Sequence, residues 1–520
     1  MKPMRNTELE LKLSLSKDEL ERFRRRPILR ELAIDRPKRR KLRSIYFDTP
    51  DLRLHRAKMS LRVRKKGRRW LQTVKCKTQI QHGLSNPIEV ENYVKRAEPD
   101  LERIGDEALK QQLIDLISDQ PLRPAFETSI WRTTRNVEFP GAGTIELALD
   151  RGEIHAGGKT KDICEVELEL KTGRPQALLR AAKALFAEDT ITVSRQSKAE
   201  RGYTLLNGAV RRNIRSPRPH KGRKPVLHAR MSSPEALCEV GRAASDQILD
   251  NWRAVLATSD PEGAHQLRIG LRRLRTASRV LKSANLDTDM MRLAREARDM
   301  ARIVGQLRDA DVLLSDIYAP AAKEIFGKNC ETPLRDVLKG HRERERISVR
   351  ASLAGAQWSS LKLNCIFFEH AIARSTGSMS EIQGREIVSI ARRALKKCWR
   401  RVRKWGCRLD KLSFHERHEM RKDLKSLRYA TEFFLPLYSP KEAREFLKQL
   451  KRLQDVFGYL NDVAMAEQLS AIVDSAYPDR ADLQQCVKTI HHWHQSRADL
   501  AWNDAQRRWK KLADTPRFWR

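Results

Sequence analysis

The chain has 520 residues, enough for two or three domains rather than a single core. Lys and Arg total 104 against 67 Asp and Glu, and a formal charge of +37 in a compact fold calls for a polyanionic counterpart: nucleic acid, an acidic membrane or polyphosphate. No apolar run approaches the roughly 18–20 residues that span a bilayer, Met1 to Lys12 holds no signal-peptide stretch, and the eight cysteines stand singly, so a soluble, cytoplasmic protein with reduced thiols and no membrane partner is expected.

Up to about Leu206 the pattern is largely that of strands. Period-two alternation recurs at Glu8 to Leu15, Ser60 to Arg64, Leu71 to Lys77, Pro87 to Val94, Thr144 to Asp150 and Ile163 to Lys171, interrupted by helical intervals at Asp100 to Ile117 and Pro175 to Phe186. In a strand alternate side chains share a face. Glu8, Glu10 and Lys12 therefore point one way and Leu9, Leu11 and Leu13 the other. The same rule groups Arg62 with Arg64, Lys75 with Lys77, Glu89 with Glu91, and Glu165 with Glu167 and Glu169. Taken singly, each charged face is the solvent side of an antiparallel sheet. Together they are unusual, because some faces are wholly acidic and others wholly basic. Curled inward, they would set carboxylates for a hard divalent cation, Mg²⁺ or Mn²⁺, opposite cations that neutralise a phosphate chain.

The Glu8-x-Glu10-x-Lys12 signature is followed in order by "YFDTPDLRL", "LRVRKKG", "ALDRGEI", "ICEVELELKTG" and "SKAERGY". With these motifs the chain, over roughly Thr7 to Leu206, resembles the CYTH family, the triphosphate tunnel metalloenzymes. The resemblance implies a closed barrel of eight antiparallel strands over residues 1–208. It implies Glu8, Glu10 and Lys12 as catalytic residues and Glu8, Glu10, Glu165, Glu167 and Glu169 as metal ligands, not all at once. Lys12, Arg62, Arg64, Lys75, Arg132, Lys198 and Arg201 would grip the triphosphate, with Lys77 as an alternate to Lys75.

Residues 209–233, which include "RRNIRSPRPHKGRKP", form a basic Pro-rich linker, and from residue 234 to 520 apolar positions recur every three or four residues, as in an all-α domain. This part contains a repeat at a constant offset of 153 residues, which maps His265 onto His418, Trp252 onto Trp405, Leu271 onto Leu424, Leu281 onto Phe434, and Gly305, Leu307 and Asp309 onto Gly458, Leu460 and Asp462. The expectation is two similar helical bundles related by a pseudo-two-fold axis, with halves of roughly 234–375 and 385–520.

In the first half His265, Arg268, Arg272, Arg275 and Arg279 fall at helical spacing on one face, while Leu267, Leu271 and Leu274 occupy another. The second half repeats this with His418, Arg421, Lys425 and Arg428. One such stripe is the solvated side of an amphipathic helix. Two at matching positions, with almost no acids among them, would converge on a linear polyanion, for which Arg offers bidentate contacts. No base-stacking aromatics interleave, which places nucleic acid behind polyphosphate. These paired histidine-led helices, with "GQLRDADV", resemble the CHAD family of conserved-histidine α-helical domains. That resemblance implies polyphosphate binding by His265, Arg268, Arg272, Arg273, Arg275, His418, Arg421, Lys425 and Arg428, with Ser426 standing opposite Arg273.

"HHWH" at His491, His492 and His494 lacks accompanying carboxylate or cysteine ligands, and "PGAGT" near Gly141 lacks the lysine of a phosphate loop. The expected activity is metal-dependent hydrolysis of inorganic triphosphate, with polyphosphate held by the helical domain. Two alternatives stand beside it: a non-catalytic polyphosphate-binding protein, and a barrel that acts on thiamine triphosphate or ATP.

Overall fold

The structure, a computed structural model, describes residues 6–7, 9–76, 80–139, 143–208, 217–280, 288–327, 332–370 and 387–520. Glu8, Lys77, Leu281, residues 209–216 of the expected linker and the expected boundary between the repeat halves at 375–385 lie outside the described residues. The chain divides into two compact units, Met1–Arg215 with Ala356–His370, and Ser216–Gly355 with Ala371–Arg520.

The first unit is built on one antiparallel sheet. Its strands are β1 (Asn6–Thr7), β2 (Glu10–Ser14), β3 (Lys38–Asp48), β4 (Ser60–Lys66), β5 (Arg69–Cys76), β6 (Leu84–Ser85), β7 (Ile88–Val94), β8 (Arg123–Phe139), β9 (Gly143–Ala156) and β10 (Lys159–Leu170). They lie in the order β1-β7-β5-β4-β3-β8-β9-β10-β2-β6. Hairpins set the long ladders: β9 turns into β10 through Gly157 and Gly158, whose φ values of 54° and 73° are those of a tight two-residue turn open to glycine. The alternation sorts the two faces as the sequence suggests. Leu61, Val63, Val74 and Val90 bury outward beneath Leu109, Leu113 and Ile117 of the helix Glu107–Ile117, and the helix Pro175–Leu185 covers β9 and β10. The charged residues are left to line the concave side. The helix Lys198–Leu206 packs on β8, β9 and β10, with Tyr203 edge-on to Phe126 at 5.0 Å.

The expected closed barrel of eight strands does not form. The sheet is an open, curled half-barrel whose end strands, β1 and β6, have two residues each and are paired on one side only. The strand count exceeds eight because the N-terminal segment splits into β1 on β7 and β2 on β10, while a short β6 adds to β2. Edges this short expose few unpaired backbone groups, so the ladder can end without closing on itself.

The second unit is helical. Its principal helices are Ser233–Ala257, Pro261–Val280, Thr288–Val312, Pro333–Leu353, Ile387–Gly406, Phe414–Phe434, Pro440–Met465 and Ala481–Asp514. Ser232 with Glu235 and Ser413 with Glu416 form reciprocal caps that fix two of the starts. The expected pair of symmetric bundles is corrected by the packing. One cluster holds Val312, Leu313, Ile317, Leu334 and Leu338 of the first half together with Ala466, Leu469, Val473, Val487 and Ile490 of the second. The halves also differ in detail: Leu313–Tyr318 is a π-helix, whereas the stretch 153 residues on is a turn residue followed by the α-helix Glu467–Ala476, and the corresponding helices Pro333–Leu353 and Ala481–Asp514 have 21 and 34 residues. In that cluster apolar side chains are shared across the repeat, so its core is not divided between two separate bundles. No described helix is long and apolar enough to cross a membrane.

Candidate functional site

The concave side of the sheet encloses a cavity of about 1170 Å³, lined by Glu10, Lys12, Arg62, Arg64, Lys75, Glu89, Arg132, Glu167 and Lys198 among others. Its acidic end is set by register. Asp150 on β9 pairs with Glu165 on β10 and, across β8, with Arg132; Glu167 pairs with Lys12 on β2. The carboxylates of Asp150, Glu165 and Glu167 are buried, and one oxygen from each lies within 4.8 Å of the others. The ammonium of Lys198, first residue of its helix, reaches all three, at 2.9 Å from Asp150, 2.7 Å from Glu165 and 2.6 Å from Glu167. Arg132 donates two hydrogen bonds to Asp150 (2.7 and 2.6 Å) and one to Glu167 (2.5 Å), and Arg201 donates to Glu165 at 2.5 Å. Burial opposes every one of these charges. The neighbours prevail, holding Asp150 and Glu167 below the usual carboxylate range and raising Lys12, Lys198 and Arg132.

The other wall is cationic. Lys75 lies 2.6 Å and Arg62 3.2 Å from Glu89, whose carboxyl is lowered to about 2 because these two cations outweigh its burial. Arg64 is different. It donates to the Ser44 hydroxyl at 3.0 Å and makes no ion pair among the described residues; burial, with Arg62 and Arg132 nearby, pushes its guanidinium down to about 9. A half-buried arginine in that setting is short of an anion.

Of the expected metal ligands, Glu165 and Glu167 meet in the cluster. Glu10 lies apart from it, 3.0 Å from Lys12 and accepting from Ser85 at 2.8 Å. Glu169 is paired with Lys171, and Glu8 lies outside the described residues. Asp150 was not singled out by the strand argument, although the quoted "ALDRGEI" contains it and the face it shares with Glu146 follows from period-two spacing. Ser194, 3.2 Å from Glu165, carries no sequence signal. Three carboxylates are a hard oxygen donor set, and Glu165 Oε2 is buried without a hydrogen bond although it lies close to Lys198, so the residues present fit a divalent ion such as Mg²⁺ or Mn²⁺.

In the helical unit the helices Pro261–Val280 and Phe414–Phe434 pack against each other. Leu267, Leu271 and Leu274, and Met420, Leu424 and Leu427, are all fully buried. The stripe residues His265, Arg268, Arg272, Arg275, His418, Arg421, Lys425 and Arg428 are half-buried, and charges of the two stripes act on one another. Burial, then Arg272, Arg421 and Arg268, push the Lys425 ammonium down to about 5. Acids enter at equivalent places: Arg268 donates to Asp309 at 2.9 Å, and Arg421 lies 3.9 Å from Asp462, the same pair 153 residues later. His418 Nδ1 lies 3.0 Å from the Asn461 side chain. Arg273 is turned away from the stripe. It is buried, donates to Gln247 (2.8 Å) and to the Arg223 carbonyl (3.0 Å), and lies over Phe433. In "HHWH", His494 is fully buried between the Ile317 carbonyl (2.9 Å) and the Tyr459 hydroxyl (3.3 Å), a packing role.

A curled antiparallel sheet with a buried carboxylate cluster facing cations, followed by a helical unit with paired basic stripes, defines a triphosphatase-like fold carrying a candidate metal site. The CYTH domain family matches residues 6–203 and the CHAD domain family residues 239–471, so the chain belongs to both, a CYTH domain joined to a CHAD domain. The inorganic triphosphatase of Haemophilus influenzae is 34% identical over 165 residues, which are 32% of this chain and 46% of that protein; the match thus spans about half of the relative. Among solved structures, the CHAD domain of the plant Ricinus communis is similar at 22% identity over 58% of this chain and 98% of that one, with a TM-score of 0.49. A Hippeastrum protein described as an adenylyl cyclase with a dominant triphosphatase activity is similar at 16% identity over 40% of this chain and 99% of that one, with a TM-score of 0.26. Likenesses of that size say nothing about activity.

Proposed function

We propose that the first unit hydrolyses inorganic triphosphate with a divalent cation, and that the helical unit binds inorganic polyphosphate. The observation that carries the first half is the division of one cavity into a three-carboxylate cluster and a cationic wall in which Arg64 has no carboxylate partner among the described residues. Asp150, Glu165 and Glu167 would hold Mg²⁺ or Mn²⁺, which when bound supplies polarisation of a phosphoryl oxygen and neutralisation of charge. Arg62, Arg64, Lys75 and Arg132 would fix the phosphate chain, with Lys12 nearby on β2. Attack by water on a terminal phosphorus forms one P–O bond and breaks the adjoining anhydride P–O bond, releasing orthophosphate and pyrophosphate. Because little covalent chemistry falls to the protein, positioning and charge carry the catalysis.

The ammonium of Lys198 inside the cluster also favours a second reading, a site that grips a phosphate chain without turning it over. Phosphate release from inorganic triphosphate with Mg²⁺ or Mn²⁺ separates the two. We expect metal-dependent turnover that falls roughly 10–100-fold or more in Glu165→Gln. Triphosphate binding with no turnover in any metal leaves the gripping site. ATP and thiamine triphosphate, run in parallel, test the other substrates.

For the helical unit, the support is that burial, and then the cations of both stripes, lower Lys425 and Arg421, a state that an approaching polyanion relieves. Equilibrium binding of long-chain polyphosphate to the full chain, with and without Arg272→Ala, tests it.

A further inference from the structure

The segment from Asp189 to Ser197 has no regular structure of its own for most of its length, yet four site residues depend on it. Ser14 N–H donates to the Thr192 carbonyl (2.8 Å), Val193 bridges Leu13, and Ser194 N–H donates to the Lys12 carbonyl (2.9 Å), so the segment runs beside β2 and fixes the backbone that carries Lys12. The Ser194 hydroxyl faces Glu165 at 3.2 Å and the Gln196 carbonyl at 3.1 Å, with one proton to donate. Ser197 and Glu200 then cap the helix that delivers Lys198 and Arg201.

What holds the other end of this segment comes from far along the chain. The helix Ser359–Ile366, part of the first unit, packs on Pro175–Leu185. The hydroxyl of buried Ser359 donates to the Asp189 carbonyl at 2.5 Å, and Lys362 Nζ donates to the Ile191 carbonyl at 2.7 Å. Arg26 grips the Asp189 carboxylate through two bonds of 2.5 Å, and Gln176 donates to the His370 carbonyl at 2.5 Å. The segment buries only Ile191 and Ser194 and has almost no ladder bonds of its own, so these donors to its carbonyls limit how far it can shift.

We propose that Ser359 and Lys362 are positioning residues of the carboxylate–lysine site. They lie within the span matched by the CHAD domain family, but they act by fixing Asp189–Ser197 and through it Ser194, Lys198, Arg201 and the Lys12 backbone. Their role in turnover rests on the triphosphatase reading above; their role in ordering the segment does not.

The test uses the full chain with Lys362→Met, Lys362→Arg and the milder Ser359→Ala, reading amide hydrogen exchange and the kinetics of triphosphate hydrolysis. In Lys362→Met, exchange of the amides from Thr192 to Lys198 is expected to rise roughly tenfold while β8 and β9 stay protected, in keeping with loss of one charge-assisted hydrogen bond. The kcat is expected to fall by a similar factor with KM little changed. Ser359→Ala shifts both in the same direction by less, and Lys362→Arg, which keeps a donor for Ile191, restores both. Unchanged exchange in this segment, a rise spread equally over β8 and β9, or an arginine variant no better than methionine would overturn the proposal. If the unmodified chain turns over no triphosphate, the substrate reading fails while the exchange comparison still decides this one.

Discussion

Two adjacent arginines show how finely a helix sorts its side chains. Arg272 lies on the half-buried stripe; Arg273, about 100° further round the helix, is buried against Gln247 and the Arg223 carbonyl. Both were read from the sequence as polyphosphate contacts, and spacing alone could have parted them, since the stripe runs 265, 268, 272, 275. Arg273→Met should therefore cost about 1–3 kcal/mol of stability, leaving the buried Gln247 side chain and the half-buried Arg223 carbonyl without their donor, with polyphosphate affinity unchanged. Arg272→Met should do the reverse, and thermal unfolding beside equilibrium binding separates them. Lys425 makes a prediction about protons. Its folded-state value of about 5 lies below its ordinary 10.5, so between these limits the unfolded chain binds more protons and stability rises with pH. A bound phosphate chain favours the ammonium, so binding near neutral pH should take up protons and weaken as pH rises. His265 and His418, lowered first by burial and also by neighbouring cations, add to the effect at lower pH. Calorimetry in buffers of different ionisation enthalpy measures the uptake; Lys425→Met should reduce it.

At the scale of elements, period-two spacing was enough to bring Arg62, Arg64, Lys75, Glu165 and Glu167 to one concave face, because alternation is a property of the strand itself. It could not say where the ladder ends, since a two-residue β6 is decided by its pairing partner. Nor did it place Ser359–Ile366, whose sequence "SSLKLNCI" has no polar face to mark what it packs against. The helix Lys198–Leu206 is held by shape as well as by charge. A Cβ on Gly202 would collide with the ring of Phe126, which stacks on Tyr46 at 4.5 Å. Gly202→Ala should cost about 1–3 kcal/mol in overpacking, and because the same helix carries Lys198 and Arg201, turnover should fall along with the melting temperature. Gly208→Ala, with only the Lys159 side chain near its Cβ at 3.5 Å but with a positive φ of 62°, makes a useful comparison for strain without collision.

At the scale of the molecule, the repeat was legible in its polar chemistry and misleading in its core. The pairs Arg268–Asp309 and Arg421–Asp462 recur at the sequence offset, since each lies between neighbouring helices of one half. One apolar cluster crosses that boundary, with Leu334 sharing it with Val473 and Ile490. The helical unit should then unfold in one transition by calorimetry, with no separate step for either half. The net charge of +37 predicts that polyphosphate binding weakens steeply with salt, by roughly 10³-fold between 50 and 200 mM if six or more phosphates are engaged. Single-stranded DNA in excess should displace it poorly, because no base-stacking aromatics interleave in the stripes.

The membership of Ala356–His370 in the first unit also has a consequence in time. The last helix of the CYTH span ends at Leu206, but the last piece of the first unit ends at His370, 164 residues later. At the roughly 5–20 residues per second of synthesis, the nascent N-terminal unit waits about 8–30 s for its own final part. During that interval much of the helical unit's first half is being made as well. A ribosome thus releases neither unit finished before the other is well begun, and a message cut short between the two would yield the carboxylate cluster already coded in full but without the helix Ser359–Ile366.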